Sequence, residues 1–187
     1  MRKLFMLLAF LFITERSFSQ HSYYTILQGG GNLGLQIPDY EGTFNGYSLH
    51  FIFGRNLNEK AFLGLGLGNE TLKGDYMAKD HGESDSKSYR YDRNLFPIFV
   101  DARLPFKDFG EASRIGIVGN AGFAAKIGPI YDKGFLGKAG LFYLYDSLNK
   151  TKFTVSATYG IQQLYGNIYS EKFRQQQLNL SVGLMLK

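Results

Sequence analysis

The chain has 187 residues, enough for one domain, with 20% charged residues, 23 Gly, 4 Pro and no Cys. The lack of Cys excludes disulfides, thiolate metal sites, a cysteine nucleophile and a lipoprotein anchor. A mean hydropathy of −0.17 is too polar for a bundle of membrane helices, and 13 Tyr and 17 Phe beside so much Gly favour strands and turns.

The first segment has the pattern of a signal peptide. Arg2 and Lys3 form a positive start, and Leu4 to Ile13 form an unbroken apolar stretch. That stretch is half of the roughly 20 residues a membrane-spanning helix needs. Ser17 and Ser19 place small residues at −3 and −1 of a cut before Gln20. Residues 1–19 are therefore expected to be a signal peptide and residues 20–187 the mature domain. Cutting there removes Arg2, Lys3, Arg16 and Glu15, which lowers the formal charge from +5 to +3. The high pI of about 9.3 then carries little weight, and no nucleic-acid partner is expected of an exported chain.

After Gln20, apolar residues alternate with polar or small ones, the period of a strand whose faces meet different surroundings. The spacing predicts eight strands, near 23–37, 46–55, 61–73, 94–106, 114–126, 136–146, 153–162 and 174–186. Most have ten residues or more, against about five to six in soluble proteins, and about nine to eleven tilted residues cross a bilayer. The connections alternate. Short ones, 56–60, 107–113 and 147–152, follow the even strands, and long ones, 38–45, 74–93, 127–135 and 163–173, follow the odd strands. Short periplasmic turns and longer outer loops are the habit of outer-membrane barrels. The expected fold is all-β, an eight-stranded antiparallel up-and-down transmembrane β-barrel with both termini periplasmic.

Each strand assigns its faces. On the first, Leu27, Leu33, Leu35 and Ile37 are assigned to lipid, with Gln28, Gly30, Asn32, Gly34 and Gln36 inside. On the second, Tyr47, Leu49, Phe51 and Phe53 oppose Ser48, His50 and Ile52. On the third, Leu63, Leu65 and Leu67 oppose Gly64, Gly66 and Gly68. On the fourth, Phe96, Ile98, Val100, Ala102 and Leu104 oppose Leu95, Pro97, Phe99, Asp101 and Arg103. The sixth is ambiguous: Ala139, Leu141, Tyr143 and Tyr145 suit lipid, but Phe142 and Leu144 then turn inward with Lys138. The seventh and eighth alternate most cleanly, as in Leu178, Leu180, Val182, Leu184 and Leu186 against Gln177, Asn179, Ser181, Gly183 and Met185. The discriminating feature is the opposite face, rich in Asn, Gln, Ser, Thr and Gly and poor in the Lys and Glu of a wetted surface. Tyr23, Tyr24, Phe106, Tyr145, Phe153 and Phe173 suit girdles at headgroup level.

The signal ending Ser17-Phe18-Ser19-Gln20, the stretch NLFPIFVDARLPF from Asn94 to Phe106 and the ending LNLSVGLMLK together resemble Bacteroidetes-type small outer-membrane barrel proteins of PorT-like and OmpX-like kind. The resemblance covers the mature chain as a pattern. It implies an outer-membrane location and a structural, adhesive or secretion-associated role. This chain ends on Leu186-Lys187, where many such barrels end on an aromatic residue.

Enzymatic signals are weak. Gly29-Gly30-Gly31-Asn32-Leu33-Gly34 matches a dinucleotide fingerprint, but that motif must open a helix, and here the alternation runs on to Pro38. His21, His50 and His81 share no metal-ligand spacing. His81 near Glu83, Ser84, Asp85 and Ser86 has the composition of a triad without a scaffold to fix one. His50 reads as an interior residue bonded to neighbours. Asp101 and Arg103 share the inner face of the fourth strand, with Arg114 expected across from them and Glu70, Lys126 and Lys138 as further members. Such charges must pair in a low-dielectric interior. The bland reading is a brace, and the sharper one is a proton or ion path. The 74–93 segment mixes Asp75, Asp80, Glu83, Asp85 and Asp92 with Lys79, Lys87, Arg90, Arg93, Tyr76, Tyr89 and Tyr91, a composition suited to an external partner or glycan. The expectation is a non-enzymatic barrel with structural, adhesive or partner-docking roles. It has no catalytic, cofactor-binding or metal residues and no cofactor. Its partners are outer-membrane lipid, lipopolysaccharide and, during insertion, the barrel-assembly machinery. The alternatives are a lipid-modifying barrel enzyme and a soluble periplasmic ligand-binding barrel.

Overall fold

A computed structural model describes residues 21–78, 88–146, 151–165 and 172–187. The expected signal peptide, His81 and its acidic and serine neighbours, Lys79 and Lys87 lie outside the described residues. Eleven strands occur among those described: β1 (His21–Gln36), β2 (Tyr40–Gly42), β3 (Asn45–Leu57), β4 (Ala61–Ala78), β5 (Tyr89–Leu95), β6 (Pro97–Phe109), β7 (Ser113–Ala124), β8 (Tyr131–Asp132), β9 (Gly134–Asp146), β10 (Thr151–Tyr165) and β11 (Lys172–Leu186). β5 and β6 form one barrel strand. Only Phe96 separates them, and β4 pairs through the break without a shift, Glu70 opposite Leu95 and Leu67 opposite Ile98. With β5 and β6 counted once, and the short β2 and β8 lying off the wall, eight strands close an antiparallel barrel. β11 returns to β1, and β3 pairs with both β1 and β4, so the wall has no free edge along its length.

The side-chain period of two sorts the wall into two surfaces. Outward residues are the large apolar ones: Leu65 is 66% exposed, Val182 64%, Val100 45% and Leu141 49%. Inward residues are buried and largely polar: Gln28, Asn32, Ser156, Thr158, Gln162, Gln177, Asn179 and Ser181. The sixth strand takes the lipid-type register: Leu141, Tyr143 and Tyr145 are exposed, while Phe142 and Leu144 are buried among Ile26, Phe62 and Met185. Phe142 finds its room over Gly116 on the neighbouring β7, where a Cβ would meet its ring, and β4 makes room for other inward side chains. A Cβ at Gly64 would crowd Tyr24 and Ile52, one at Gly66 the Phe99 ring, and one at Gly68 His50.

One facing assignment fails at the end of β1. Between Gly34 and Gln36 the register to β11 shifts by one residue, a bulge. A slip of one residue exchanges the faces. Ile37 is therefore fully buried, not lipid-facing, and Gln36 is exposed, not interior. A second shift between Pro105 and Lys107 leaves Phe106 without a ladder partner, and it keeps the outward side of Val100 and Leu104, 62% exposed. Pro105, opposite Gly116, sits at the edge of this bulge, a place within sheets where proline is found.

The long connections carry more strand than the sequence implies. β4 and β5 continue as a hairpin, with Lys73 opposite Asp92 and Tyr76 opposite Tyr89, so much of 74–93 is paired strand. β2 adds to the free edge of β4 and β8 to β5. The resulting small sheet extends the wall at the long-loop end. Ile37, Phe44, Leu72, Tyr76, Tyr91, Leu95, Leu164 and Phe173 form a second buried cluster there. Phe44 stacks on Tyr91 at 4.4 Å, and Phe173 meets Tyr40 edge-on at 4.8 Å. Phe173 is thus core, not girdle. Tyr24, buried against Phe62, is likewise interior.

Candidate functional site

The chemistry-bearing side chains gather inside the barrel in three groups. At mid-wall, Asp101 and Arg103 project to the same side of β6 and pair at 3.0 Å, both almost fully buried. Arg103 donates onward to Gln28 at 2.7 Å and Thr154 at 3.0 Å, which lie on β1 and β10, and Asn120 on β7 donates to Asp101 at 2.7 Å. The Phe142 ring lies 5.8 Å from the guanidinium carbon. Four strands are thus tied through one ion pair, as a planar five-donor guanidinium allows.

Glu70 carries the second group. Its Oε1 accepts from Lys138 at 2.5 Å and lies 3.0 Å from His50 Nε2. These residues come from β4, β9 and β3, and all three are buried. His50 is therefore an interior residue held by a neighbour, as the sequence implies, with the Phe99 ring edge-on at 5.0 Å. Lys138 and Glu70 are interior charges as expected, but they form their own group, and Lys126 is exposed.

The third group corrects the placement of Arg114. That residue does not lie across from Asp101 and Arg103, whose register partners are Asn120 and Val118. Arg114 lies at the short-turn end, where it pairs with Glu59 at 2.8 Å and Asp108 at 3.3 Å. Three rungs of the ladder, with the bulge at Pro105–Lys107 among them, separate it from Arg103. Glu59 was missed as a site residue, because a turn glutamate reads as solvated. Asn58 and Glu59 both adopt positive φ, 55° and 60°, the backbone of a tight hairpin turn. This conformation is uncommon outside Gly and Asn. Two bonds to Asn56, at 2.7 and 2.8 Å, fix the turn. They aim the carboxylate across the barrel base at Arg114, Lys152 and Lys187. Burial pushes the Glu59 carboxyl up, but hydrogen bonds from Lys187, Lys152 and Asn56 outweigh it and bring its pKa down to about 2.

The dinucleotide reading of Gly29–Gly34 ends here, because β1 runs straight through it and no helix follows. Among the described residues no group of three or more His, Asp or Glu is placed to hold a metal ion. Ser48, two residues from His50 on the same face, is 4% exposed and its Oγ has no hydrogen-bond partner.

No protein-family model matches the chain, and no curated protein matches it. Solved structures do. Neisserial surface protein A superposes with a TM-score of 0.54 at 15% identity, covering 90% of this chain and 99% of that one. The outer membrane protein OprG of Pseudomonas aeruginosa gives 0.50 at 11% identity, covering 88% and 94%. At such identities the likeness is one of fold. The fold is that of a small outer-membrane β-barrel.

Proposed function

We propose that the protein is a non-enzymatic outer-membrane barrel of the PorT-like or OmpX-like kind. In this reading residues 1–19 direct its export, both termini lie in the periplasm, and it braces the envelope or docks a partner through its long-loop end. The observation that carries this reading is the inverted burial. A soluble ligand-binding barrel buries its apolar face, whereas here a large apolar face is exposed around the wall, and the interior holds ion pairs and amides beside the apolar cluster of Phe62 and Phe142. Exposed rings mark the two rims of that band. Tyr23, stacked on Phe53, and Phe109 lie toward the short turns, and Tyr47, Phe123 and Phe135 toward the long loops. Against a lipid-modifying enzyme stands the sequestration of Ser48 and His50 inside the wall, away from any lipid surface.

Fractionation tests the reading. The protein should sediment with outer membranes, need detergent for extraction, and migrate faster in gels when left unboiled. Release into the soluble periplasm after gentle lysis would refute it.

A further inference from the structure

On the outer wall near the long-loop end, β9 and β10 border an open groove of about 580 Å³. Gly137 and Ala139 form its low floor and Phe135, Tyr159 and Ile161 its apolar sides, Asn120 and Lys138 also touch it, and Arg174 on β11 lies at the loop-side rim, opposite Gln163. The floor is open: a Cβ added at Gly137 would meet nothing within 4 Å. Beyond Phe135, which is 69% exposed, the β7–β9 connection presents Ile127 at 51% and Ile130 at 58%. These apolar tips are held in place. Ile130 accepts from the Asn94 amide at 3.2 Å, Pro129 accepts from Arg93, and Asp132 accepts from the Tyr91 hydroxyl at 2.8 Å and the Tyr165 amide at 2.9 Å.

The unpaired charge around this surface is positive. Lys126, Lys133 and Arg174 are exposed there, Lys133 lying 4.6 Å from the centre of the Tyr165 ring. Of the nearby carboxylates among the described residues, Asp132 is buried and bonded inward, and Asp92, on β5 beyond Ile130, is paired with Lys73. A fixed apolar groove with a cationic rim, at the height where a bilayer's headgroups begin, matches a molecule with acyl chains and an anionic head. We infer that this face of β7, β9, β10 and β11 is a binding site for a phosphate-bearing acylated lipid of the outer leaflet, with a chain along Gly137 and the phosphate at Arg174, Lys126 and Lys133. The inference rests on the outer-membrane reading above and adds a side of the barrel and a ligand class to it.

Native mass spectrometry of the folded mature protein in a neutral detergent tests the site. The probes are dimyristoyl phosphatidic acid, dimyristoyl phosphatidylcholine with the same chains, and glycerol 3-phosphate without them. One phosphatidic acid should be retained where phosphatidylcholine is lost, and glycerol phosphate should not displace it. Gly137→Leu, which fills the groove where space is free, and Arg174→Ser should each weaken retention at least tenfold. Arg55→Ser, on the outer wall at the opposite end, should leave it unchanged. Equal retention of phosphatidylcholine, displacement by glycerol phosphate, or wild-type retention in both groove variants would overturn the inference while the barrel still shows heat-modifiable migration. A chain that stays in water without detergent would instead refute the membrane reading itself, and the inference with it.

Discussion

Asp101 and Arg103 show how a charge can reside inside such a barrel. Each ion alone would cost several kcal/mol to desolvate, and the pair survives because Gln28, Thr154 and Asn120 complete its bonds. Asp101→Ala leaves the guanidinium buried without its counter-ion, and the expected cost is about 3–5 kcal/mol. Asp92→Ala breaks an exposed pair with Lys73 and should cost under about 1 kcal/mol. Unfolding of both variants in one lipid or detergent system checks the contrast, and equal losses would contradict the buried network. Glu59 gives a pH signature. Its pKa is depressed from 4.5 to about 2 in the folded chain, so its contribution is fully present above pH 4.5 and is lost as pH falls through about 2. Glu59→Gln should be less stable than wild type at neutral pH and should converge with it toward pH 2. A gap that persists at acid pH would show that the carboxylate charge is not what holds the turn.

At the level of elements, β4 and the joined β5–β6 strand show how one wall serves two environments. Leu63, Leu65 and Leu67 meet the outside, while Gly64, Gly66 and Gly68 leave interior room for Tyr24, Phe99 and His50. Gly66→Val places a branched side chain where the Phe99 ring now lies, and overpacking of this kind typically costs about 1–3 kcal/mol. Across the ladder, Val100 faces outward. Val100→Arg should cost roughly 2–4 kcal/mol in a bilayer, as a cation at the midplane of a barrel does. The comparison is best made in lipid vesicles and again in water-exposed refolding intermediates. A harmless Val100→Arg in vesicles would show that this face does not meet hydrocarbon.

For the whole molecule, the filled interior has a direct consequence. Eight strands enclose a space just wide enough for side chains. Here Arg103, Phe62, Phe142 and Lys152 are among the largest fully buried ones, and an aromatic cluster is buried toward the long-loop end. Planar-bilayer recordings should therefore show no large, steady conductance. Stable openings on the scale of sixteen-stranded porins would mean that the interior network is not closed.

Much of this architecture was legible in the sequence, because a strand's period of two is local. Alternation alone assigned Leu65, Val100 and Leu184 to one surface and Asp101, His50 and Ser181 to the other, and strand length alone pointed to a wall about one bilayer thick. The polarity of the inner face chose between a wet-outside and a lipid-outside barrel. The tertiary structure decided everything that depends on register between distant strands. The bulge at Gly34–Gln36 leaves no mark on the alternation until a partner strand is laid beside it, which is why Ile37 turns inward against its sequence pattern. Arg114 stands apart from Asp101 and Arg103 because the β6–β7 ladder runs on to Phe109 and Ser113, a length that neither strand's pattern records. Phe142 and Leu144 are readable as core once Gly116 is seen beside Phe142 and the pair is seen to cluster with Ile26, Phe62 and Met185. Glu59 could not be singled out, because its partners Lys152 and Lys187 are far away in sequence and reach it through barrel closure. A pattern along one strand fixes which way each side chain points, but only the shear and closure of the barrel fix which side chains meet.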